Sequence, residues 1–365
     1  MAKRKIDYSF LYISITLILF GLAVFSSASV GLIARDEGGV FWVFIKQIIS
    51  LGVGLILFVV GLRTSLSFLR KYAFYIFIAS CVATLLVFVS GLGIFSNGAW
   101  RWIKIGPLTL QPAEFLKLGY ILYLSAIYTT YQKKIATFSY GVLPYLCITG
   151  IVSVILLAQP HTGMLVVIAL TGMLMYMIAG GSWKHFLLII LVAGIIVGGL
   201  FMTRPYVRER IVTFISPSTV SQQDEGYQIR QSLIAIGSGG FFGRGFFQSI
   251  QKTHSLPEPI GDSIFAVLSE ELGFIGSTIT VLLFLIFSLL GLKIATRAPD
   301  MFSRLLASGI VILIVGQSFL NIAAMLNLFP LSGVPILFIS QGGSALMFAL
   351  FEIGILLNIS RYREH

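Results

Sequence analysis

Residues 255–276 read SLPEPIGDSIFAVLSEELGFIG. The stretch opens as a polar, proline-marked loop and ends as an apolar run. Glu258 and Asp262 precede the run, and Glu270 and Glu271 lie inside it. Ionised carboxylates are costly in hydrocarbon, so either the rest of the chain shelters these acids or the run is not a membrane span. Composition favours shelter. The 365 residues are 57% hydrophobic and only 11% charged, with a mean hydropathy of +0.96. A chain so poor in charge must turn most of its surface to lipid or to other spans. The apolar runs are long enough for helices, and the succession of short alternating strands that a barrel needs is not evident.

Runs of roughly 17–25 apolar residues mark about ten spans. They lie near 9–33, 41–62, 73–93, 113–130, 138–157, 162–180, 184–203, 263–292, 304–328 and 336–360. The predicted fold class is an all-α polytopic membrane protein, one domain over 1–365, with one large extracytoplasmic loop at 204–262. The N-terminal MAKRKIDYSFLYISITLILFGLAVFSSASVGL resembles a signal peptide. Its apolar stretch is long for one and many spans follow, so it reads as an uncleaved first span.

The net charge of +11 is scattered over the connections with no basic tail. That pattern fits orientation signals and anionic headgroups, and nucleic acid is not an expected partner. Lys3, Arg4 and Lys5; Arg63, Arg70 and Lys71; Lys133 and Lys134; Lys184; Lys293, Arg297 and Arg304; and Arg361 and Arg363 fall at alternate connections and both termini. That side is therefore predicted to be cytoplasmic, with 94–112 and 204–262 outside. Arg204, Arg208, Arg210, Arg230, Arg244 and Lys252 break the bias in the long loop. They point to an anionic ligand outside, or to the indifference of long loops to the rule. Cys81 and Cys147 fall in apolar runs and read as small core residues. His161, His185, His254 and His365 lack metal-ligand spacing. GSGGFFGRG (237–245) fits neither G-x-G-x-x-G nor a P-loop. It reads as a glycine-rich turn where backbone approaches membrane or ligand.

Polar groups at membrane depth are the candidates for chemistry. Glu114 and Lys117, three apart in QPAEFLKLGYILYL (111–124), can pair on one helix face. They are either a structural ion pair or a pair whose lysine meets a substrate anion. Arg101 and Lys104 beside Trp100 and Trp102 suit a headgroup region, or an interfacial belt alone. Asp262 lies at the end of a predicted span, where it could cap the helix, act as a general base or hold a divalent cation such as Mg²⁺ or Mn²⁺. Adjacent Glu270 and Glu271 cannot point the same way on a helix, so one of them is expected to face the bundle interior. Glu352 reads as a hydrogen-bonded buried acid.

Four blocks in order resemble the SEDS family (shape, elongation, division, sporulation), which includes FtsW and RodA. NGAWRWIKIGPLTLQPAEFLKL (97–118), GYQIRQSLIAIGSGGFFGRGFFQSIQK (226–252), LPEPIGDSIFAVLSEELGFIG (256–276) and FPLSGVPILFISQGGSALM (329–347) carry the likeness over nearly the whole chain. The long-loop block followed by LPEP is more similar to the division branch, FtsW, than to the elongation branch. The chain departs from the family pattern at His161, in QPHTG where the family has QPD.G, and at Trp100, Leu337, Gln341 and Ala345.

The resemblance implies glycan-strand polymerisation from lipid II, a disaccharide-pentapeptide on undecaprenyl pyrophosphate, with inversion to a β-1,4 bond. It implies a class B penicillin-binding protein and other divisome membrane proteins as partners, and a bacterial cytoplasmic membrane at the division septum as the location. Asp262 corresponds to the family's essential acid. Arg101, Lys117, Arg208 and Arg210 are then candidates for the pyrophosphate, with Glu114 supporting Lys117 and Glu258 positioning substrate. A lipid II flippase and a non-enzymatic scaffold for the transpeptidase are the rival readings.

Overall fold

The computed structural model describes residues 5–34, 40–96, 98–106, 108–216 and 225–362. Lys3, Arg4, Arg363 and residues 217–224 of the predicted long loop lie outside the described residues. The protein is a polytopic all-α membrane protein. Among the described residues, eight helices are long and apolar enough to cross a membrane. In chain order the first are α1 (Tyr8–Ala34), α2 (Val40–Arg63), α3 (Leu66–Leu85), α4 (Pro112–Thr130), α5 (Leu143–Ala158), α6 (Thr162–Ile178) and α7 (Trp183–Thr203). Then come α8 (Pro205–Ile215), α9 (Glu225–Ser238), α10 (Gln251–His254), α11 (Ile264–Thr296), α12 (Met301–Met325) and α13 (Gly343–Ser360). The eight apolar spans, the shorter α6 and the charged α4 together match the ten predicted runs.

Burial grades the bundle. Most of α12 and α13 is enclosed, whereas Ile189 is the one buried residue of α7. Close packing comes from small residues where backbones nearly touch. A Cβ on Gly61 of α2 would sit 2.5 Å from the Phe351 carbonyl oxygen, and one on Gly354 of α13 would sit 2.3 Å from that of Phe58. The two described ends of the chain meet, since the Asp7 amide donates to Ser360 Oγ at 3.0 Å. At the far end of α1, Ser27 meets Lys252, about 30 Å away at 1.5 Å per residue.

Three expectations are corrected. First, 94–112 is a small antiparallel sheet, β1 (Gly93–Ser96), β2 (Ala99–Ile105) and β3 (Leu108–Leu110), with Gly93 opposite Ile103 and Ile103 opposite Leu110. Trp102 lies opposite Ile94 and Trp100 opposite the next residue, Phe95, so Arg101 is the extra residue of a bulge and the period-two alternation of AWRWIKI is interrupted there. Second, the predicted last span 336–360 begins only at Gly343. Pro330, Pro335 and Gly333 (φ +63°) keep 329–342 out of helix. Third, the described part of 204–262 is largely helical, in α8, α9 and α10.

The opening stretch is the most built-up part of the fold. Helix α11 breaks at Gly273 (φ 65°, ψ −160°), a conformation open essentially to glycine. The break frees backbone groups, and the glycine-rich segment takes them up. Arg244 and Gly245 amides donate to the Glu270 and Glu271 carbonyls, both at 3.0 Å. The Phe274 amide donates to the Gly240 carbonyl at 2.9 Å. This is why GSGGFFGRG is rich in glycine: a Cβ at Gly243 would lie 2.1 Å from the Glu271 carbonyl oxygen, and one at Gly239 equally close to that of Ser269.

Glu270 and Glu271 are both buried, against the expectation that only one turns inward. Both grip the same wrapping segment. Glu270 accepts from Ser249 Oγ (2.5 Å) and the Ile250 and Gln251 amides (3.1 and 3.2 Å), and pairs with Arg244 (3.3 Å). Glu271 pairs with buried Lys252 and accepts from Ser27 Oγ at 2.6 Å.

Gly273→Ala should therefore cost about 1–3 kcal/mol from the backbone conformation alone. Its Cβ would also meet the Gly243 nitrogen at 2.3 Å. The expected result is a lower melting temperature in detergent and faster limited proteolysis within 239–252; parental values for both would refute the loop–helix latch.

Candidate functional site

Asp262 sits in the turn before α11. The cap of that helix is Ser263, not Asp262, so the capping reading does not hold. The turn is pinned from two sides. Asn321 Nδ2 on α12 donates to the carbonyls of Asp262 (2.9 Å) and Val334 (2.8 Å), and the Gln341 amide donates to the Ile260 carbonyl (2.7 Å). These bonds tie Asp262 to the 329–342 segment, whose Gly333 lies beneath the carboxylate. The space over Gly333 is bounded by Arg210 Nη2 and Asp262 Oδ2, 3.7 and 3.9 Å from where a Cβ would stand. The carboxylate and guanidinium converge over a residue with no side chain.

Backbone oxygens and aromatic rings place the cations. Arg210 Nη1 donates to Thr162 Oγ1 at 3.2 Å and stacks over the Tyr206 ring at 4.5 Å. The Tyr206 hydroxyl donates to the Pro160 carbonyl at 3.0 Å. Arg101 reaches inward from β2, donating from Nε to the Gln159 carbonyl at 3.1 Å and from Nη2 to that of Pro160. QPHTG thus anchors both arginines. Between their anchor points lies His161, 3% exposed, whose Nδ1 has no hydrogen-bond partner among the described residues. Gln159 Oε1 and Ser332 Oγ are in the same condition.

Lys117 lies deeper. It pairs with Glu114 at 2.6 Å and donates to Gln317 Oε1 at 2.6 Å, and Gln317 Nε2 donates to the Pro335 carbonyl at 3.0 Å. Both members of the pair are 1% exposed, so the predicted pairing on one helix face is realised. It is braced by α12 and linked through Pro335 to the segment carrying Gly333.

Charge tunes the two central groups. Burial raises the Asp262 carboxyl to about 6; Glu258 adds to the rise, and Arg210 and Arg101 oppose it. Burial holds the His161 imidazole well below its ordinary value. Arg101, Arg210 and Lys117 push the same way, and a hydrogen bond with the Gly333 backbone opposes them. His161 is therefore neutral at physiological pH.

The structure brings together Asp262, Arg210 and Arg101, with Lys117 and Glu114 behind them. Glu258 is exposed, in a left-handed conformation (φ 46°), close enough to influence Asp262. Arg208 is not brought in. It is exposed and lies roughly 200° around α8 from Arg210, so it faces away from the cluster. Trp100 packs on Phe95 with ring centroids 5.4 Å apart, so that departure from the family pattern lies outside the cluster, whereas His161 lies inside it. A resident divalent cation does not fit the donor set. Asp262 and Glu258 are the acidic groups here, guanidinium already faces Asp262, and no cluster of three acidic, histidine or cysteine ligands occurs among the described residues. Asn321, Gln317, Tyr206 and Gly333 are site residues the sequence reading passed over. The first two carried a signal, as amides four apart on an apolar helix.

A family model described as "Cell cycle protein", covering FtsW, RodA and SpoVE, matches residues 7–365. The chain is 35% identical to stage V sporulation protein E of Bacillus subtilis, over 100% of both chains. It is also 35% identical to a protein named "Probable peptidoglycan glycosyltransferase FtsW" from Geobacter sulfurreducens, over 98% of this chain and 95% of that one. Among solved structures it is similar to the rod shape determining protein RodA of Thermus thermophilus, with TM-score 0.71, 25% identity and coverage of 99% and 98%. A chain from a peptidoglycan synthase complex shares the fold with TM-score 0.81 at 24% identity, over 98% of this chain and 99% of that one.

The buried pair makes a double-mutant test. Lys117→Met or Glu114→Gln alone leaves a charge or polar group without its partner, with an expected loss on the order of 3–5 kcal/mol for the charge. The double variant should recover much of the thermal stability. Two single variants as stable as the parent would show that the pair is not a coupled buried unit.

Proposed function

The chain belongs to the FtsW, RodA and SpoVE family, whose model spans residues 7–365, and from this we propose that it is a peptidoglycan glycosyltransferase that polymerises lipid II. The observation that carries the reading is the convergence of Asp262 and Arg210 over Gly333. A glycosyl transfer with inversion needs a base on the acceptor hydroxyl and positive charge at the departing diphosphate. Asp262 is the base. It takes the proton from the attacking sugar hydroxyl as the new bond forms at the anomeric carbon of the donor. The bond to the diphosphate oxygen breaks, and Arg210 and Arg101 stabilise the charge that leaves. Lys117 adds positive potential from below while its own geometry is held by Glu114 and Gln317. Glu258, at the exposed edge, orients substrate and raises the basicity of Asp262.

Location and partners complete the proposal. The end at which Asp7 meets Ser360 holds the start of α1 and the end of α13, and the loop charges support a cytoplasmic position for it. Asp262 then opens outward. The likeness to FtsW proteins supports septal synthesis, with a class B penicillin-binding protein and other divisome membrane proteins as partners. A flippase would move lipid II without making glycan, and a scaffold would not need Asp262.

Asp262→Asn should insert and melt like the parent but lose about 10² to 10⁴ of the polymerisation rate. The acid limb of the parental pH profile is expected near pH 6, since the base works only when deprotonated. Glu258→Gln removes a charge that raises the Asp262 value and should move the limb down; Arg210→Gln should move it up. Parental glycan synthesis by intact Asp262→Asn would remove this residue from the reaction.

Orientation is tested by His254→Cys, an exposed position at the end of α10, made with exposed Cys147 replaced by Ser. Labelling by an impermeant maleimide in cells whose outer surface is accessible is expected; labelling only after lysis would invert the topology.

A further inference from the structure

A cavity of about 420 Å³ lies between the start of α3 and the end of α4, lined by Ser67, Arg70, Lys71, Ala126 and Thr130. Its size falls within the roughly 300–1,000 Å³ of small-ligand pockets, and the reaction described above makes no use of it. Glu114 and Lys117 occupy the first two turns of α4, so the cavity is at the opposite end of that helix. Two cations line it without an ionic partner. Neither the Arg70 nor the Lys71 side chain makes a hydrogen bond or ion pair among the described residues, and Lys71 Nζ stands 5.4 Å from the centre of the Tyr72 ring. The Ser67 hydroxyl is also without a partner there, and all three residues are exposed.

The chain supplies no anion to these cations. Between residues 38 and 208 the sole acid is Glu114, which pairs with Lys117. At the same end of the bundle as the cavity, Asp7 caps α1 by accepting from the Phe10 amide at 3.1 Å, and Asp300 caps α12 by accepting from the Ser303 amide at 3.0 Å. Arg63, Lys133 and Lys134 stand exposed at that end as well. A recess lined by one sign of charge concentrates ions of the other. The surroundings are those of a bilayer interface, with Tyr72, Tyr75, Tyr131 and Tyr140 exposed on the flanking turns. On α3 the face that holds Ser67 and Lys71 continues at helical spacing through Phe74, Ile78 and Val82, all exposed. Phe74 also packs on Tyr123 of α4, with ring centroids 5.4 Å apart. A lipid with its headgroup in the cavity can lay a chain along this face, for which a soluble anion has no use.

We propose that this cavity is a headgroup site for an anionic phospholipid. Arg70 and Lys71 hold the phosphate, Ser67 donates to it, and an acyl chain lies along Phe74, Ile78 and Val82. The leaflet, the cytoplasmic one, follows from the orientation proposed above; the site itself does not depend on the polymerase reading. Bound there, the lipid ties the start of α3 to the end of α4.

The test uses the full-length protein in detergent, titrated with phosphatidylglycerol. Phosphatidylcholine of the same chains is the zwitterionic comparison, and glycerol 3-phosphate is the soluble anion. Bound lipid is counted by native mass spectrometry, and the melting temperature is followed in parallel. Phosphatidylglycerol is expected to bind and to raise the melting temperature, and the other two are not. Arg70→Gln with Lys71→Gln should weaken its binding about 25-fold, about fivefold for each cation. Ala126→Leu fills the cavity, keeps every charge and should weaken binding about tenfold by excluding the headgroup. Lys133→Gln with Lys134→Gln removes as much charge from the same end outside the cavity and should stay within about threefold of the parent. All three variants are expected to melt like the parent before lipid is added. Equal losses in the two double variants would reduce the effect to general surface charge and overturn the assignment. So would parental binding by Ala126→Leu. Competition by glycerol 3-phosphate as effective as that of the lipid would overturn it too, by making the cavity a site for soluble anions.

Discussion

A helix interrupted between its ends in a low-dielectric setting must find new partners for the backbone groups it frees. In this protein that requirement falls on α11 at Gly273, and the rest of the active end is arranged around meeting it. The 240–245 segment can supply the partners only by lying against the helix backbone, which needs glycine. Once it lies there, Glu270 and Glu271 have the same segment within reach, and Lys252 is drawn down onto Ser27 of α1. The following residues, through Leu256 to Asp262, therefore leave from a fixed point. The acids that looked expensive in the sequence are the means by which a surface segment is fastened to the bundle.

The same logic governs the cations. Long basic side chains lose much conformational entropy when fixed. Here the fixing is shared with groups that need donors in any case: the carbonyls of Gln159 and Pro160, where α5 gives way to α6, and the hydroxyl of Thr162. Arg101 comes from a strand, Arg210 from a short helix and Asp262 from a turn, so the cluster unites elements far apart in the chain. Asn321 and Gln317 on α12 hold the last wall by binding carbonyls in the 329–342 segment. Because those bonds go to main chain, the wall is positioned by backbone and its side chains are left to pack.

Much of this was legible in the residues. The ten apolar runs and the Glu114–Lys117 pair follow from run length and helical spacing, while the grouping of Asp262 with Arg210 and Arg101 came from the family resemblance. What was not legible depends on contacts between distant segments. The sheet at 93–110 was hidden because tryptophan and isoleucine suit an interfacial belt as well as a strand. Arg208 and Arg210 are alike in sequence, and only the direction in which α8 packs separates them. Gly333 has no chemistry of its own; it matters because two other residues meet above it. The inward turn of both Glu270 and Glu271 required knowing that the helix breaks two residues later and that another segment wraps it.

The glycine contacts between α2 and α13 reverse an ordinary expectation about mutation. In most protein cores the damage comes from taking atoms away, because a cavity remains. At Gly61 and Gly354 there are no side-chain atoms to remove, and the facing carbonyls stand 2.3–2.5 Å from where a first carbon would go. That seam can drift only toward excess volume. It has no conservative substitution, since even alanine forces two main chains apart, and no neighbour can yield by changing rotamer. The lipid-facing surface of α7 is the opposite case, a surface on which most apolar side chains would serve. Sequence change in this protein should accordingly be tolerated unevenly, freely along one helix and hardly at all along a seam where nothing but hydrogen points inward.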